Sequence, residues 1–505
     1  MDKTKFRLNF LPIFIATLTL FALFFVYLPF QPVDEFCFTN INAAELIING
    51  RTPGELSVSG FFVLHLIEFY HRFYPHMIFA VLSTVSGVKP DALIFWPIPI
   101  FLAFLSLWLI LKTINTSVLN RTIFTLLFAS TLSMNFFFES YYISFAFSLF
   151  FLFAYLILKH QNNESLITII LWILLFLAIT FSHYTAAVSA IILMFLCRLR
   201  TKRLWLVIVF IVTFISLEVI IYTQTAVQIA LFNAVRTPPQ QILFDIQTYL
   251  KNLILATSQP STYAVINPYF NNSIIQITGS LNRLVLITYL FLSFAIIYKS
   301  KNLITIKKDT RFWFILSLFV AGIFEVLIYL FIGFGGILQR ILSIALFIFM
   351  SYLWPPILTK NSRNKSTICK ILAGITIALA ICLPILNFMR SYTFSLEYGA
   401  DYNHFYQRTN EPILFFLLHK VSLVYTDHYT CAILTYKAVH MDIKQNLQTI
   451  ILTDELAEIN TGYFILPYVK ALRVGWRGYI LSSNFHSMFI QRNIIYNSRF
   501  FLCGY

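Results

Sequence analysis

Two carboxylates stand side by side at Asp34 and Glu35, directly after an apolar run and at the head of a long polar segment. Adjacent carboxylates suit general acid–base work, one taking a proton while the other orients or replaces it. Arg340 follows Gly333-Phe-Gly-Gly336 and opens another apolar run; its planar guanidinium is the donor fork that grips a phosphate through two hydrogen bonds. Arg51 and Arg72 bring the same chemistry to the segment after Asp34. Glu139, His183, Glu218 and Glu325 fall at the ends of apolar runs or inside them, where an ionisable group is costly and so marks a place of interest. Each also has a plainer reading. His183 suits a satisfied interfacial residue, Glu325 a pair with another helix, and Arg340 a side chain reaching lipid phosphate. Asp34-Glu35 could be a solvated stop, although a doublet that begins a long structured segment favours function. His65, His71 and His76 read as interfacial decoration rather than a metal cluster, and Gly333–Gly336 as a turn rather than a phosphate loop.

The elements that must hold these groups follow from hydropathy. Hydrophobic residues make up 59% of the 505-residue chain and charged residues 11%, and the mean hydropathy is +0.77. A soluble domain is about half apolar and about a quarter charged, so the composition predicts an all-α polytopic membrane protein. Eleven spans are expected near 8–30, 92–111, 122–138, 141–158, 166–182, 184–197, 204–222, 283–298, 312–332, 338–358 and 371–389. The short intervening loops hold 19 of the 36 Lys and Arg, which places the N-terminus inside and the long segments outside. On that arrangement Glu218 and Glu325 stand ~20 Å along their helices at ~1.5 Å per residue, and the polar groups converge on an outward-opening cavity. Six Cys without a CxxC pair imply neither a metal nor a disulfide framework.

Domain organisation is a transmembrane part over 1–389 and an extracytoplasmic domain over 390–505. Within the first part, 31–91 forms an outer loop whose Phe61–Phe73 stretch reads as an amphipathic helix, with His65, Glu68 and Arg72 on one face. A second long outer loop covers 223–282. In the tail, Ser422–Thr426, Thr449–Leu452, Tyr463–Tyr468 and Asn493–Tyr505 read as strands, the last turning at Asn497-Ser498. The tail is therefore expected to be a small α/β domain.

With these features in place, the chain resembles the GT-C class of membrane glycosyltransferases. The likeness rests on Asp34-Glu35 after the first apolar run, on the Phe73–Gly87 passage with its Tyr74-Pro75 and Ser86-Gly87, and on Glu139-Ser-Tyr-Tyr142. Ser182-His183-Tyr184, Leu338-Gln-Arg340 and the tail's Ile494-Ile-Tyr-Asn-Ser-Arg499 complete it. Among branches it looks most like the protein O-mannosyltransferase and lipid-modifying members, of archaeal type. Oligosaccharyltransferase subunits carry WWDYG and DxD motifs; here the tail offers only Gly475-Trp-Arg-Gly-Tyr479 and the first loop has no DxD.

The resemblance implies an inverting transfer of a sugar from a polyprenyl-phosphate donor to a protein, lipid or glycan acceptor on the extracytoplasmic face of a cell membrane. Asp34 would be the general base, Glu35 its positioner or substitute, and Arg340 the phosphate clamp, with Arg51 or Arg72 assisting. Glu139, His183 and Glu325 would shape the sugar or acceptor pocket. A polyprenyl phosphate leaves readily, so no cofactor and no divalent metal is expected; membrane lipids are partners and nucleic acid is not. The rival classes are a secondary transporter or lipid flippase, which would show inverted repeats and broken helices, and a non-catalytic receptor or assembly scaffold built on the tail.

Overall fold

The computed structural model describes residues 35–52, 58–60, 74–93, 98–114, 141–160, 165–199, 204–221, 313–323 and a set of elements between 423 and 504, with a few isolated positions besides. The amphipathic stretch 61–73, the second long loop 223–282 and five expected spans (8–30, 122–138, 283–298, 338–358 and 371–389) lie outside these residues, apart from isolated positions.

Helix α1 (Glu35–Ile48) is enclosed through its middle, with residues 39–44 and Leu46 buried. Ala43 and Ala44 leave room for neighbouring backbones to approach closely. Its end is set by glycine: Gly50 has φ +63°, its N–H donates to the Ile47 carbonyl at 3.1 Å, and the Arg51 N–H donates to the Leu46 carbonyl at 2.9 Å. Those crossed bonds form a Schellman cap, which needs the left-handed conformation that only glycine adopts cheaply. Strand β1 (Val58–Gly60) follows. Helix α2 (Tyr74–Ser86) carries Pro75 in its first turn, where a missing N–H costs nothing, and stops at Gly87, φ +70°.

The short α3 (Pro90–Leu93) leads to a helical bundle of α4 (Ile98–Thr113), α5 (Tyr141–Lys159), α6 (Leu166–Thr180), α7 (Tyr184–Leu199) and α8 (Trp205–Ile221). Ser165 caps α6 by accepting from the Thr168 N–H at 3.2 Å. The buried Ser148 hydroxyl of α5 donates to the Pro99 carbonyl at the start of α4 at 2.6 Å. Phenylalanines lock the rest: Phe176 of α6 meets Phe210 of α8 edge-on at 4.6 Å, and Phe153 of α5 meets Phe210 at 5.9 Å. Such pairs add about 0.5–1.5 kcal/mol beyond their burial. Lys112, Lys159 and Arg198 fall in the last turns of α4, α5 and α7. With α5 and α6 antiparallel across a short link, Lys159 and Arg198 mark one end of the bundle. The α6–α7 turn at Ser182-His183 marks the other.

These helices correct the expected fold class. Among the described residues no helix is long and apolar enough to cross a membrane, so the eleven-span, multi-pass architecture is not what these elements form. Nine helices lie among the described residues. The longest, α5, is bounded by Tyr141-Tyr142 and Lys159, which leaves an apolar stretch of ~24 Å against a hydrocarbon thickness of ~30 Å. Glu218 cuts into the apolar stretch of α8, and α6 ends after 15 residues. Hydropathy summed along the chain had run the second apolar stretch, 92–111, on through Pro97 and Pro99, where α4 begins at Ile98.

The C-terminal elements build a mixed sheet. Strands β2 (Leu423–Thr426), β3 (Leu447–Ile451) and β4 (Tyr463–Pro467) are parallel, and helix α9 (His428–His440) makes the crossover from β2 to β3 that a parallel pair requires. A hairpin of β5 (Ala471–Val474) and β6 (Gly478–Leu481) stands apart. Strands β7 (Ile494–Asn497) and β8 (Phe501–Gly504) complete the order β1-β3-β2-β4-β8-β7. One edge of this sheet is therefore supplied by the early part of the chain, Val58 pairing with Leu447 and Gly60 with Thr449. Helix α9 packs on the sheet with α1 against it, and α1 in turn packs on α2 and α5.

Candidate functional site

The doublet Asp34-Glu35 sits where α1 begins. Glu35 is the first residue of the helix; Asp34 lies outside the described residues. A negative charge at that place meets the positive end of the helix dipole, a stabilisation of about 0.3–1 kcal/mol. Helix α1 is held between α2 on one side and α9 on another, and its position is fixed by the cap at Gly50. Arg51, the residue after that cap, is half-buried at the far end of α1, about 24 Å along the axis from Glu35 at 1.5 Å per residue.

His183 is buried in the α6–α7 turn, 4% exposed. Its N–H donates to the Ile179 carbonyl at 2.8 Å, its carbonyl accepts from the Ala187 N–H at 3.2 Å, and its ring stacks on Tyr184 at 4.9 Å. Phe79 of α2 meets Phe145 near the start of α5 at 6.1 Å. The start of α5 lies at the His183 end of the bundle, so α2 and α1 pack toward that end and away from Lys159 and Arg198. Arg72, Glu139, Glu325 and Arg340 lie outside the described residues. Of the eight residues singled out, Glu35, Arg51 and His183 are thus located, with Glu35 placed by its backbone.

The stack of α2, α1 and α9 has a polar interior that hydropathy did not reveal. Thr39, Asn40 and Asn42 of α1, His76 and Ser83 of α2, and Thr430 and Thr435 of α9 are all buried. His76 is 1% exposed, which corrects its reading as interfacial decoration. Neither Nδ2 nor Oδ1 of Asn40, nor Oδ1 of Asn42, has a hydrogen-bond partner among the described residues. A signal was available: three polar residues within Thr39-Asn-Ile-Asn42 interrupt a helix otherwise apolar enough for a core. These buried groups are neutral hydrogen-bonding side chains apart from the titratable imidazole of His76. Among the described residues no group of three or more His, Cys, Asp and Glu side chains is placed to hold a metal ion. Of the Gly475–Tyr479 segment compared above with a family signature, Gly478 and Tyr479 belong to β6, paired with Val474 and Arg473, and residues 475–477 lie outside the described residues.

No protein-family model matches the chain, and no curated protein matches it.

Proposed function

We propose that the chain is a glycosyltransferase of GT-C character that moves a sugar from a polyprenyl-phosphate donor to an acceptor hydroxyl. The observation that carries this reading is the Asp34-Glu35 doublet of the sequence, with Glu35 the first residue of α1, a helix that carries buried neutral hydrogen-bonding groups at Thr39, Asn40 and Asn42. Adjacent carboxylates suit proton abstraction from a sugar or side-chain hydroxyl. The succession of motifs shared with GT-C enzymes supports the same reading.

In the reaction Asp34 takes the acceptor's hydroxyl proton, the oxygen attacks the anomeric carbon, and the bond from that carbon to the phosphate oxygen breaks. The electron pair leaves with the polyprenyl phosphate, whose charge Arg340 neutralises with Arg72, and the anomeric configuration inverts; Arg51, about 24 Å along α1 from Glu35, stands too far off to assist. Glu35 orients the base. Glu139, His183 and Glu325 line the sugar and acceptor, and no cofactor takes part.

The test is transfer by the purified full-length chain from a panel of radiolabelled polyprenyl-phosphate sugars, scored by released polyprenyl phosphate. A positioned base contributes about 10²–10⁴-fold, so Asp34→Asn is expected to lose that factor, and Glu35→Gln less. Arg340→Lys is expected to weaken donor binding, because an ammonium lacks the planar fork. Wild-type chain inert toward every donor, or Asp34→Asn at the wild-type rate, overturns the reading.

A further inference from the structure

The helical bundle keeps its hydroxyls inside and its aliphatic side chains outside. Ser106, Ser144, Ser148, Thr168, Thr180 and Ser189 are buried. The hydroxyl of Ser106 donates to the Leu102 carbonyl at 2.7 Å and that of Thr180 to the Phe176 carbonyl at 2.9 Å, so these groups are matched without water. Apart from Lys112 and Thr113 at the end of α4 and Lys159 at the end of α5, Ser216 is the one exposed polar residue among the described positions of α4 to α8. A helix whose outer side meets water carries polar residues there.

The exposed apolar side chains gather on two neighbouring helices. On α6 they are Leu166, Ile167, Ile170, Leu171 and Leu174. On α8, Trp205, Ile208, Val212 and Ile215 form a stripe at spacings of three and four residues, 53–60% exposed. The helices touch on their inner sides through Phe176 and Phe210. Both begin at the end of the bundle marked by Lys159 and Arg198, so the stripes run side by side, about 12 Å along α6 and about 15 Å along α8. Basic and aromatic groups stand at that end. They are Trp205, the exposed Lys159 with its ammonium 5.6 Å from the Tyr155 ring centre, and, in the link between α7 and α8, Arg200, Lys202 and Arg203 of the sequence. Ser216 bounds the other end.

We propose that the outer face of α6 and α8 docks on an anionic lipid leaflet, the two helices lying in its plane. An apolar helix face enters a leaflet by about 5–10 Å, which immerses the Leu, Ile and Val side chains and keeps the bundle on one side of the membrane. Trp205 and Lys159 then fall at the headgroup level, where indole rings and cations collect, and the basic end complements anionic headgroups. No helix has to cross, in keeping with the lengths of the described elements. A protein partner fits this face poorly. Protein interfaces make about one hydrogen bond per 100–200 Å² and centre on aromatic or arginine anchors. Here the middle of the face offers neither, and its one aromatic residue, Trp205, stands at the rim. The contact is independent of sugar transfer.

The experiment mixes the full chain, diluted out of detergent, with vesicles of phosphatidylcholine alone or of phosphatidylcholine and phosphatidylglycerol in equal parts. Each carries a trace of lipid with a photoactivated diazirine in its acyl chain. The chain is expected to float with the anionic vesicles, and less with the neutral ones or in high salt. Photolabelling is expected on peptides holding 166–174 and 205–215 and not on α9. Ile170→Asp together with Ile208→Asp is expected to lower vesicle partition at least about tenfold, since a carboxylate enters hydrocarbon at high cost. The thermal midpoint checks the fold of that variant; if it does not fold, serines at the same two positions make the comparison. Failure of the wild type to float, flotation of the aspartate variant at the wild-type level, or labelling confined to other peptides overturns the contact. Equal flotation on both vesicles overturns its anionic character. A dimer in solution that does not float and that the aspartates dissociate would overturn the lipid contact and assign the face to a second copy of the chain.

Discussion

The guanidinium of Arg198 lies 4.8 Å from the ring centre of Trp172, and both side chains are fully buried. The sequence placed Arg198 among solvated loop charges. In the bundle it is a core residue that ties the end of α7 to the middle of α6. A desolvated cation over an indole contributes about 2 kcal/mol or more. Arg198→Ala is expected to cost about 3 kcal/mol and Trp172→Ala about 3–5 kcal/mol, with a coupling of about 1–2 kcal/mol in the double-mutant cycle. Chemical denaturation of the three variants measures it; additive losses would show that the two residues stabilise the bundle independently.

The cap at the end of α1 offers a second test. A Cβ at Gly50 would meet nothing within 4 Å, so substitution there probes backbone conformation alone. Gly50→Ala is expected to cost about 1–2 kcal/mol, the left-handed penalty for a side chain, and Gly50→Asn less. Equal thermal midpoints for glycine and alanine would remove the positive φ from the account of how Arg51 is placed.

Chain register across the sheet edge is open to direct chemistry. Ser59 pairs with Gln448, and neighbouring strands lie about 4.7–4.9 Å apart, within disulfide range of Cα separations. The double variant Ser59→Cys, Gln448→Cys is expected to form a bond under mild oxidation, and a pair shifted by one residue on one strand is not. Peptide mapping after proteolysis reads the result.

Cys197 carries a pH signature. Burial pushes its thiol up to about 12, against a partial lowering by the hydrogen bond to Ser317 at 3.8 Å. Below the unfolded value near 9 the thiol is protonated in both states and its contribution to stability is complete. As pH rises from about 9 toward 12 the unfolded chain ionises first, and that contribution is lost. The stability difference between wild type and Cys197→Ala is therefore expected to shrink over this window and to stay constant between pH 6 and about 8. Maleimide labelling at neutral pH should reach the exposed Cys382 and spare Cys197 and Cys431.

Local patterns were legible where one period governs a few residues. Alternation around Ile494–Asn497 and a turn-forming Asn497-Ser498 placed the β7–β8 hairpin, and apolar runs placed α5, α6 and α7 to within a few residues. Hydropathy averaged along the chain does not fix how long each helix is, and that is where the fold-class reading failed, since no helix among the described residues is long and apolar enough to cross a membrane. Helix α9 escaped notice because its stretch from Cys431 to Leu434 is apolar without interruption and shows neither period. The polar stack was hidden for another reason. Thr39, Asn40, Asn42 and His76 are polar residues whose burial depends on α2 and α9 closing around α1, and one of those helices arrives nearly 400 residues later in the chain. The carboxylate doublet was plain from its types and spacing; the burial of Asn40 was not, since a buried and an exposed asparagine look alike in a string of letters.

The ladder between β1 and β3 sets a timetable for synthesis. Val58 and Leu447 are partners across 389 positions, and at about 5–20 residues per second the first waits about 20–80 s for the second to be made. Through that interval the early strand and α1 have no sheet or α9 to close over them, and Asn40 stays open to solvent. The stack around α1 therefore closes only after α9 has been made, and truncation before His428 leaves the carboxylate helix uncovered. Folding of the site is in this sense a checkpoint on synthesis of the C-terminal elements.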